Sequence, residues 1–202
     1  MQHEKCCYCE MKIPNEGHLK AVEHFKPKSV YKSLTNYWGN LLLACAQCNG
    51  KKSDGFPVQL TDRIDEAKVL YTKTKMVKGK PVLIDPSKED PEEHLDFDLD
   101  VREATLGLIK AKNNSKKGVK TIETIGLSGQ FYTKRHRKYV FETLLYRFTA
   151  LCMAKDDCND GFVSEHKSRF EQWMQDSGEY AALTRAFARH YGLDKYGIQI
   201  PN

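Results

Sequence analysis

The chain has 202 residues and a mass of 23.2 kDa, which is enough for one compact domain or for a small metal-bound module joined to a helical body. Its residues are 40% hydrophobic and 29% charged, a balance typical of globular proteins that excludes disorder as the default state. The longest apolar runs, such as Leu41 to Ala46, are far shorter than the roughly 20 residues that a membrane span needs, and no secretory signal begins the sequence. We therefore expect a cytoplasmic protein.

Four of the seven cysteines form two C-x-x-C pairs, Cys6 with Cys9 and Cys45 with Cys48. In a reducing compartment such pairs indicate a metal site, because disulfides do not persist there. Four thiolates at this spacing suit one tetrahedral zinc ion closed to solvent, which would contribute folding energy that a small core lacks. Cys7 is an alternative to one member of the first pair, and an iron centre is chemically possible, but we favour structural zinc on the two pairs.

The sequence predicts three regions. Residues 1–60 are rich in Cys, Asn, Gly and aromatic residues without a long helical period, as in a loop-rich unit held by a metal. Residues 61–111 predict a connector with short strands, and residues 112–202 predict a helical region. The expected fold class is α+β, a zinc-stapled module followed by a mainly helical C-terminal body.

Individual elements are predicted from apolar spacing and from glycine and proline positions. The helical region should contain one helix that ends at Gly126, a long helix from about 130 to 153, and two further helices, of which the last ends at Gly192. Short strands are predicted over 81–85, 95–99 and 105–109, and a helical first turn is predicted at Pro91.

Two neighbouring stretches carry opposite charge. Residues 110–138 contain nine Lys or Arg and one acid, whereas residues 85–103 contain nine acids and two basic residues. The basic stretch is a candidate surface for nucleic-acid phosphates, and the acidic stretch is a candidate docking surface for a partner. The alternative interpretation is that both are solvated faces that partly neutralise one another.

The segment VEHFKPKS, at 22–29, and the segment WGNLLLACAQCNGKKSD, at 38–54, carry the most specific pattern. The Glu23-His24 pair is followed by Asn40, sixteen residues after the histidine, and by Asn49, nine residues further on. This pattern resembles the HNH, or ββα-metal, nucleases, in which two antiparallel strands and a helix surround one divalent ion. The resemblance implies a phosphodiester-cleaving enzyme.

The resemblance also implies roles for individual residues. His24 matches the general base that takes a proton from the attacking water, and Asn40 matches the asparagine that braces the loop around that base. Glu23 and Asn49 match the ligands of a catalytic Mg²⁺ or Mn²⁺ ion, although many relatives carry Asp where Glu23 stands. Lys51 and Lys52 lie beside Asn49 and are candidates for phosphate binding.

Further phrases, LIDPSKEDPEEHLDF and TIETIGL, extend the resemblance over about residues 5–140 to one HNH family, the nuclease subunits of Septu anti-phage systems and of related retron cassettes. That family implies an ABC- or SMC-like ATPase partner, joined in retrons by a reverse transcriptase and its multicopy DNA. DNA is the leading substrate and RNA, particularly transfer RNA, is the alternative. A zinc knuckle that binds nucleic acid without cleaving it is the alternative from a different class.

Overall fold

A computed structural model describes residues 2–14, 19–60, 68–70, 79–101, 106–129 and 131–201 of the chain. The chain divides into two compact units. The first unit comprises Met1–Asp96 and Ile109–Gln130, and the second comprises Phe97–Leu108 and Phe131–Asn202. Within the described ranges, no helix has both the length and the apolar character that crossing a membrane requires. The fold is α+β, as predicted; the boundaries predicted at residues 60 and 111 stay a prediction.

A β-hairpin followed by a short helix forms one end of the first unit. Strand β1 (Lys20–His24) pairs antiparallel with strand β2 (Leu41–Cys45), with His24 opposite Leu41. Strand β2 runs directly into helix α1 (Ala46–Lys52). The residues of the predicted motif therefore lie on a strand, a strand and a helix that are adjacent in space.

A three-stranded sheet completes the core of this unit. Its strands are β3 (Phe56–Gln59), β4 (Lys68–Leu70) and β5 (Lys80–Pro81), and β3 lies in the middle. Phe56 packs edge-on against Phe25, with ring centroids 5.5 Å apart, and so joins the sheet to the hairpin. The buried apolar cluster consists of Phe25, Leu42, Phe56, Val58 and Leu83.

The strand predicted over 81–85 is wrong beyond Pro81. Residues 82–84 are buried, and Val82 N–H still donates to Pro57 O of β3 at 3.1 Å. Ile84 N–H instead donates to the Thr121 hydroxyl at 3.0 Å. A side-chain acceptor thus replaces a strand partner. The apolar run was a sound indication of burial, but burial alone does not distinguish a strand from an irregular segment.

The other two short strands differ in part from their predicted ranges. Strand β6 (Leu95–Phe97) covers the first part of its predicted range and pairs with β7 (Ile109–Ala111), which begins where the predicted strand over 105–109 ends. Thr105 lies outside the described residues. A 3-10 turn over Pro91–Glu93 confirms the helical turn predicted at Pro91. Helix α2 (Lys116–Ile125) ends at Gly126, whose φ of 70° is the left-handed conformation that a glycine cap adopts readily.

The second unit is built on three helices, α3 (Phe131–Asp156), α4 (Asp160–Met174) and α5 (Ala181–Tyr191), as the sequence predicts. Their aromatic residues meet at Phe187, whose ring lies 5.4 Å from that of Phe141 and 6.3 Å from that of Phe170. Helix α5 ends at Gly192 with a φ of 66°.

The charged stretches partly neutralise each other within the first unit. Lys117, from the basic stretch, forms an ion pair with Glu89, from the acidic stretch. In the second unit Arg137 is fully buried, and its Nε donates to Gly107 O at 2.9 Å. Arg137 therefore belongs to the interior, and the predicted phosphate-facing surface is smaller than the sequence count suggests.

Candidate functional site

The four cysteines of the two C-x-x-C pairs converge on one point. The sulfur atoms of Cys6, Cys9, Cys45 and Cys48 all lie within 4.8 Å of one another, and all four residues are buried. The Cys9 and Cys45 sulfurs are 3.9 Å apart. Sulfurs held about 2.3 Å from a tetrahedral zinc ion lie about 3.8 Å from each other, so the cluster has the dimensions to hold a metal ion.

Local backbone geometry directs the two sulfurs of each C-x-x-C pair toward the cluster. In the first pair Glu10 N–H donates to Cys6 O at 3.0 Å, and Glu10 has a φ of 60°, which turns the chain back on itself. In the second pair Cys45 caps helix α1, because its sulfur accepts the Cys48 N–H at 3.4 Å. Amide donors of this kind stabilise a thiolate, which is the form that binds a metal.

Cys7 adjoins Cys6 but is not one of the four residues whose sulfurs converge. Its side chain packs against the apolar cluster around Phe56, and its backbone N–H donates to Leu43 O at 3.0 Å. The structure therefore favours Cys6 over Cys7 as a member of the cluster.

His24, the predicted general base, has a defined ring orientation. Its Nε2 lies 3.0 Å from Thr35 O. A carbonyl oxygen only accepts hydrogen bonds, so Nε2 carries the proton in the neutral ring and Nδ1 has the lone pair. His24 is half-buried at the end of β1.

Asn40, the predicted bracing residue, is buried and spans the loop between the two strands. Its Oδ1 accepts the Lys26 N–H at 2.8 Å, and its Nδ2 donates to Lys26 O at 3.0 Å and to Leu34 O at 3.3 Å. Its own backbone carbonyl accepts the Phe25 N–H at 3.0 Å. These contacts fix the backbone just after His24, at Lys26, and the backbone just before Thr35, at Leu34.

Glu23, a predicted metal ligand, is only 2% exposed and is paired with Lys52. The Lys52 ammonium lies 2.5 Å from Glu23 Oε1 and donates to His24 O at 3.0 Å. Burial raises the pKa of the Glu23 carboxyl, and the nearby ammonium opposes that rise. The carboxylate is thus held in place by a buried cation that adjoins the histidine backbone.

The remaining predicted site residues lie on helix α1. Asn49 is half-buried and stands three residues before Lys52 on this helix. Lys51 is exposed, as a phosphate-binding side chain requires. Lys52 is buried with its ammonium on Glu23, an arrangement different from the solvent-facing phosphate contact expected from the sequence.

Two functional features were not predicted from the sequence. One is the Thr35 carbonyl that orients His24, and the other is the inward direction of Lys52. A backbone carbonyl has no sequence signature. Lys52 follows an exposed lysine in a polar helix end, so its type and neighbours indicate a solvated side chain.

Comparison with known proteins agrees with this geometry. The family model for HNH endonuclease matches residues 6–55, which include both cysteine pairs, both strands of the hairpin and helix α1. Residues 6–55 thus carry a domain of known class, the HNH endonuclease domain.

Similar proteins indicate a narrower group than the family model does. The Septu protein PtuB of Bacillus mycoides (strain KBAB4) is 32% identical over 153 residues, covering 68% of this chain and 48% of the relative. The Septu protein PtuA of the same strain is 33% identical over 159 residues, covering 72% of this chain and 21% of that protein. The Septu protein PtuB of Bacillus thuringiensis is 48% identical over 52 residues, covering 26% of this chain and 20% of the relative.

The chain is therefore similar to the HNH nucleases of the Septu family, and the predicted resemblance is confirmed. It spans about half the length of the PtuB relative from B. mycoides and about a fifth of the other two. No solved structure matches the chain.

Proposed function

We propose that the chain is a metal-dependent endonuclease that hydrolyses phosphodiester bonds of nucleic acid, in the first instance DNA, as the effector of an anti-phage defence system. The observation that carries the proposal is the hydrogen bond that orients the His24 ring. Its Nε2 proton is engaged by Thr35 O, and it follows the acidic residue Glu23 on the hairpin strand that faces helix α1.

In the proposed reaction His24 Nδ1 accepts a proton from a water molecule as the water oxygen forms a bond to phosphorus. One phosphorus–oxygen bond of the backbone breaks, and the departing oxygen takes up a proton from solvent. Thr35 O holds the ring and stabilises the imidazolium that forms, because the Nε2 proton keeps its acceptor throughout. Asn40 positions both partners by bracing the loop between them.

Glu23 and Asn49 would hold a divalent ion, Mg²⁺ or Mn²⁺, through the hard oxygen atoms that such ions prefer. When bound, the ion would offset the negative charge that develops on the phosphoryl and departing oxygens. Lys52 engages Glu23 Oε1, so a bond from this carboxylate to an ion would form beside a buried ammonium. Lys51, the exposed lysine, is the proposed contact to a flanking phosphate.

The four-cysteine cluster would hold zinc in a structural role, because all four ligand positions are occupied by buried protein sulfurs and none is open to substrate. Its place beside α1 would fix the helix that carries Asn49. The names of the relatives support a defence setting, and the occurrence of PtuA and PtuB in one strain supports a partner subunit. We propose an ATPase as that partner; reverse transcriptase and multicopy DNA belong to the retron alternative.

The test is cleavage by the purified protein, alone and with the products of neighbouring genes, on DNA and RNA with Mg²⁺ or Mn²⁺. His24→Ala should lower the rate on the order of a hundred- to ten-thousand-fold while one zinc per chain is retained. His190→Ala, an exposed histidine of the helical unit, is the matched control and should cleave like the parent. Equal cleavage by His24→Ala and the parent would disprove the assignment, and products from RNA alone would move the substrate to RNA.

One observation favours the second candidate, a module that binds nucleic acid without cleaving it. The Lys52–Glu23 ion pair is complete without a divalent ion, as it would be if Glu23 were purely structural. Calorimetry with Mn²⁺ separates the two functions. Binding of one Mn²⁺ that is lost in both Glu23→Gln and Asn49→Ala supports the nuclease, and absence of Mn²⁺ binding supports the second candidate.

A further inference from the structure

The loop between β1 and β2 presents an exposed aromatic pair. Trp38 is 84% exposed and Tyr37 is 60% exposed, although large aromatic side chains usually bury most of their surface. They stand at a 3-10 turn, Trp38–Asn40, that leads directly into β2. Two adjacent aromatic residues with this much exposed surface are a candidate contact for a ligand.

The aromatic pair is rigidly joined to the candidate active site. Thr35, two residues before Tyr37, supplies the carbonyl that orients His24. Asn40, two residues after Trp38, braces the loop with its side chain, and its N–H donates to Tyr37 O at 2.9 Å. Any group that contacts Trp38 is thereby held in a defined relation to the proposed base.

Gly39 leaves room for the ring of Tyr37. A β-carbon on Gly39 would lie 2.7 Å from Cε1 of the Tyr37 ring, which shows that this ring lies directly over the glycine. A larger residue would displace the ring. The turn therefore positions the Tyr37 ring against the backbone of Gly39.

The charge of the same loop is complementary to phosphate. Residues 25–40 contain Lys26, Lys28 and Lys32 and no acidic residue. Lys28 and Lys32 are exposed, and the ammonium of Lys26 lies 5.6 Å from the centre of the Tyr31 ring. Interleaved basic and aromatic side chains are the usual means of binding the backbone and the base faces of single strands.

We propose that Trp38 is a stacking platform for an unpaired nucleobase adjacent to the bond that is cleaved, with the lysines of the 25–40 loop bound to the flanking phosphates. The proposal rests on the proposed function and names its substrate class. In a duplex both faces of each base are covered by neighbours, so an indole can stack only where a base is unstacked. The preferred substrate is therefore single-stranded or locally unpaired nucleic acid.

The test measures binding without cleavage. The sequence has two tryptophans, so a Trp173→Phe/His24→Ala variant carries Trp38 as its only indole and lacks the proposed base. Its fluorescence is recorded in Ca²⁺ during titration with oligothymidylate, with oligouridylate and with a blunt DNA duplex. Both single strands should quench the emission, and the duplex should quench it far less; unequal affinity for the two single strands would identify DNA or RNA as the preferred source of the base.

In the His24→Ala background with both tryptophans, Trp38→Ala should weaken binding of the single strands about five- to a hundred-fold, measured by fluorescence anisotropy of a labelled oligonucleotide. Trp38→Phe should restore a large part of the affinity, because phenylalanine also stacks. Tyr146→Ala removes a side chain that is 75% exposed in the helical unit and serves as the matched control with unchanged affinity.

Unchanged Trp38 emission together with unchanged affinity of Trp38→Ala would overturn the proposal and assign the exposed indole to a protein partner. Equal quenching by the duplex would overturn the requirement for an unpaired base. These outcomes are independent of catalysis. Cleavage by His24→Ala would refute the proposed function, yet it would leave a stacking site at Trp38 intact.

Discussion

The Lys52 ammonium lies 2.5 Å from Glu23 Oε1, and both side chains are withdrawn from solvent. The pair joins the last residue of helix α1 to strand β1, next to the proposed base. A buried ammonium is tolerated only when it is paired and hydrogen-bonded, and here the carboxylate and His24 O satisfy it.

The first prediction concerns this pair. Lys52→Met leaves a buried carboxylate without its cation and should lower the free energy of unfolding by about 3–5 kcal/mol. In Lys52→Met/Glu23→Gln much of that loss should return, because no unpaired charge remains. Urea denaturation of the zinc-loaded proteins measures both values. Simple additivity of the two single substitutions would contradict the coupling.

The second prediction concerns Asn40. Asn40→Ala removes three side-chain hydrogen bonds and leaves groups of Lys26 and Leu34 without that partner, so it should cost about 2–3 kcal/mol of stability. Cleavage should fall as well, because the loop that orients His24 loosens. The zinc content should stay at that of the parent. A variant with full activity would show that the brace has no role in positioning the base.

The third prediction separates the cysteines. Cys9→Ser and Cys45→Ser each remove one sulfur of the cluster and should abolish stoichiometric zinc, with loss of the folded first unit. Cys7→Ala is the matched control, since Cys7 packs against the apolar cluster instead, and it should retain one zinc per chain. Elemental analysis by mass spectrometry gives the metal content. Loss of zinc in Cys7→Ala would place Cys7 among the ligands.

The fourth prediction concerns the contribution of Glu89 to stability at low pH. Burial alone would raise the pKa of the Glu89 carboxyl, but hydrogen bonds from Lys117 and from the Asp85 backbone outweigh it, so the pKa lies below its usual value of 4.5. A lowered folded-state pKa means that the stabilisation is complete above pH 4.5 and is lost as the pH falls through the lower value.

Glu89→Gln should therefore be less stable than the parent by about 1 kcal/mol at neutral pH, a value set by the partial exposure of the ion pair. The difference should close below pH 4.5, when the parent's carboxyl also becomes neutral. Urea unfolding of both proteins across this range, with their metal content matched, measures it. A constant difference at all pH values would assign the effect to packing and not to charge.

Much of the candidate site could be predicted from the sequence because its members lie at fixed short spacings. Each C-x-x-C pair brings two sulfurs close together through its own spacing, and the cluster that the two pairs form follows from the sequence. The Glu23-His24 pair and the two asparagines were predicted from a motif whose family was then confirmed. Helix ends at Gly126 and Gly192 follow from the left-handed conformation that glycine adopts readily.

The strand predicted over 81–85 and the surface position expected for Lys52 and Arg137 failed for a common reason. Each depends on a partner distant in sequence: Thr121 for the backbone of Ile84, Glu23 for Lys52 and Gly107 for Arg137. Local patterns encode periodicity and composition, and they carry no information on which distant group satisfies a buried polar atom.

The amino-acid sequence by itself determined the resemblance to HNH nucleases, the four cysteines that could hold a metal ion and the order of the helices, since all three depend on the spacing of residues along the chain. Only the tertiary structure decided that Lys52 faces inward to Glu23, that Thr35 O orients His24, and that Trp38 stands exposed beside them. Burial and hydrogen-bond partners arise when segments far apart in the chain are packed together, and that packing sets the chemistry of the site.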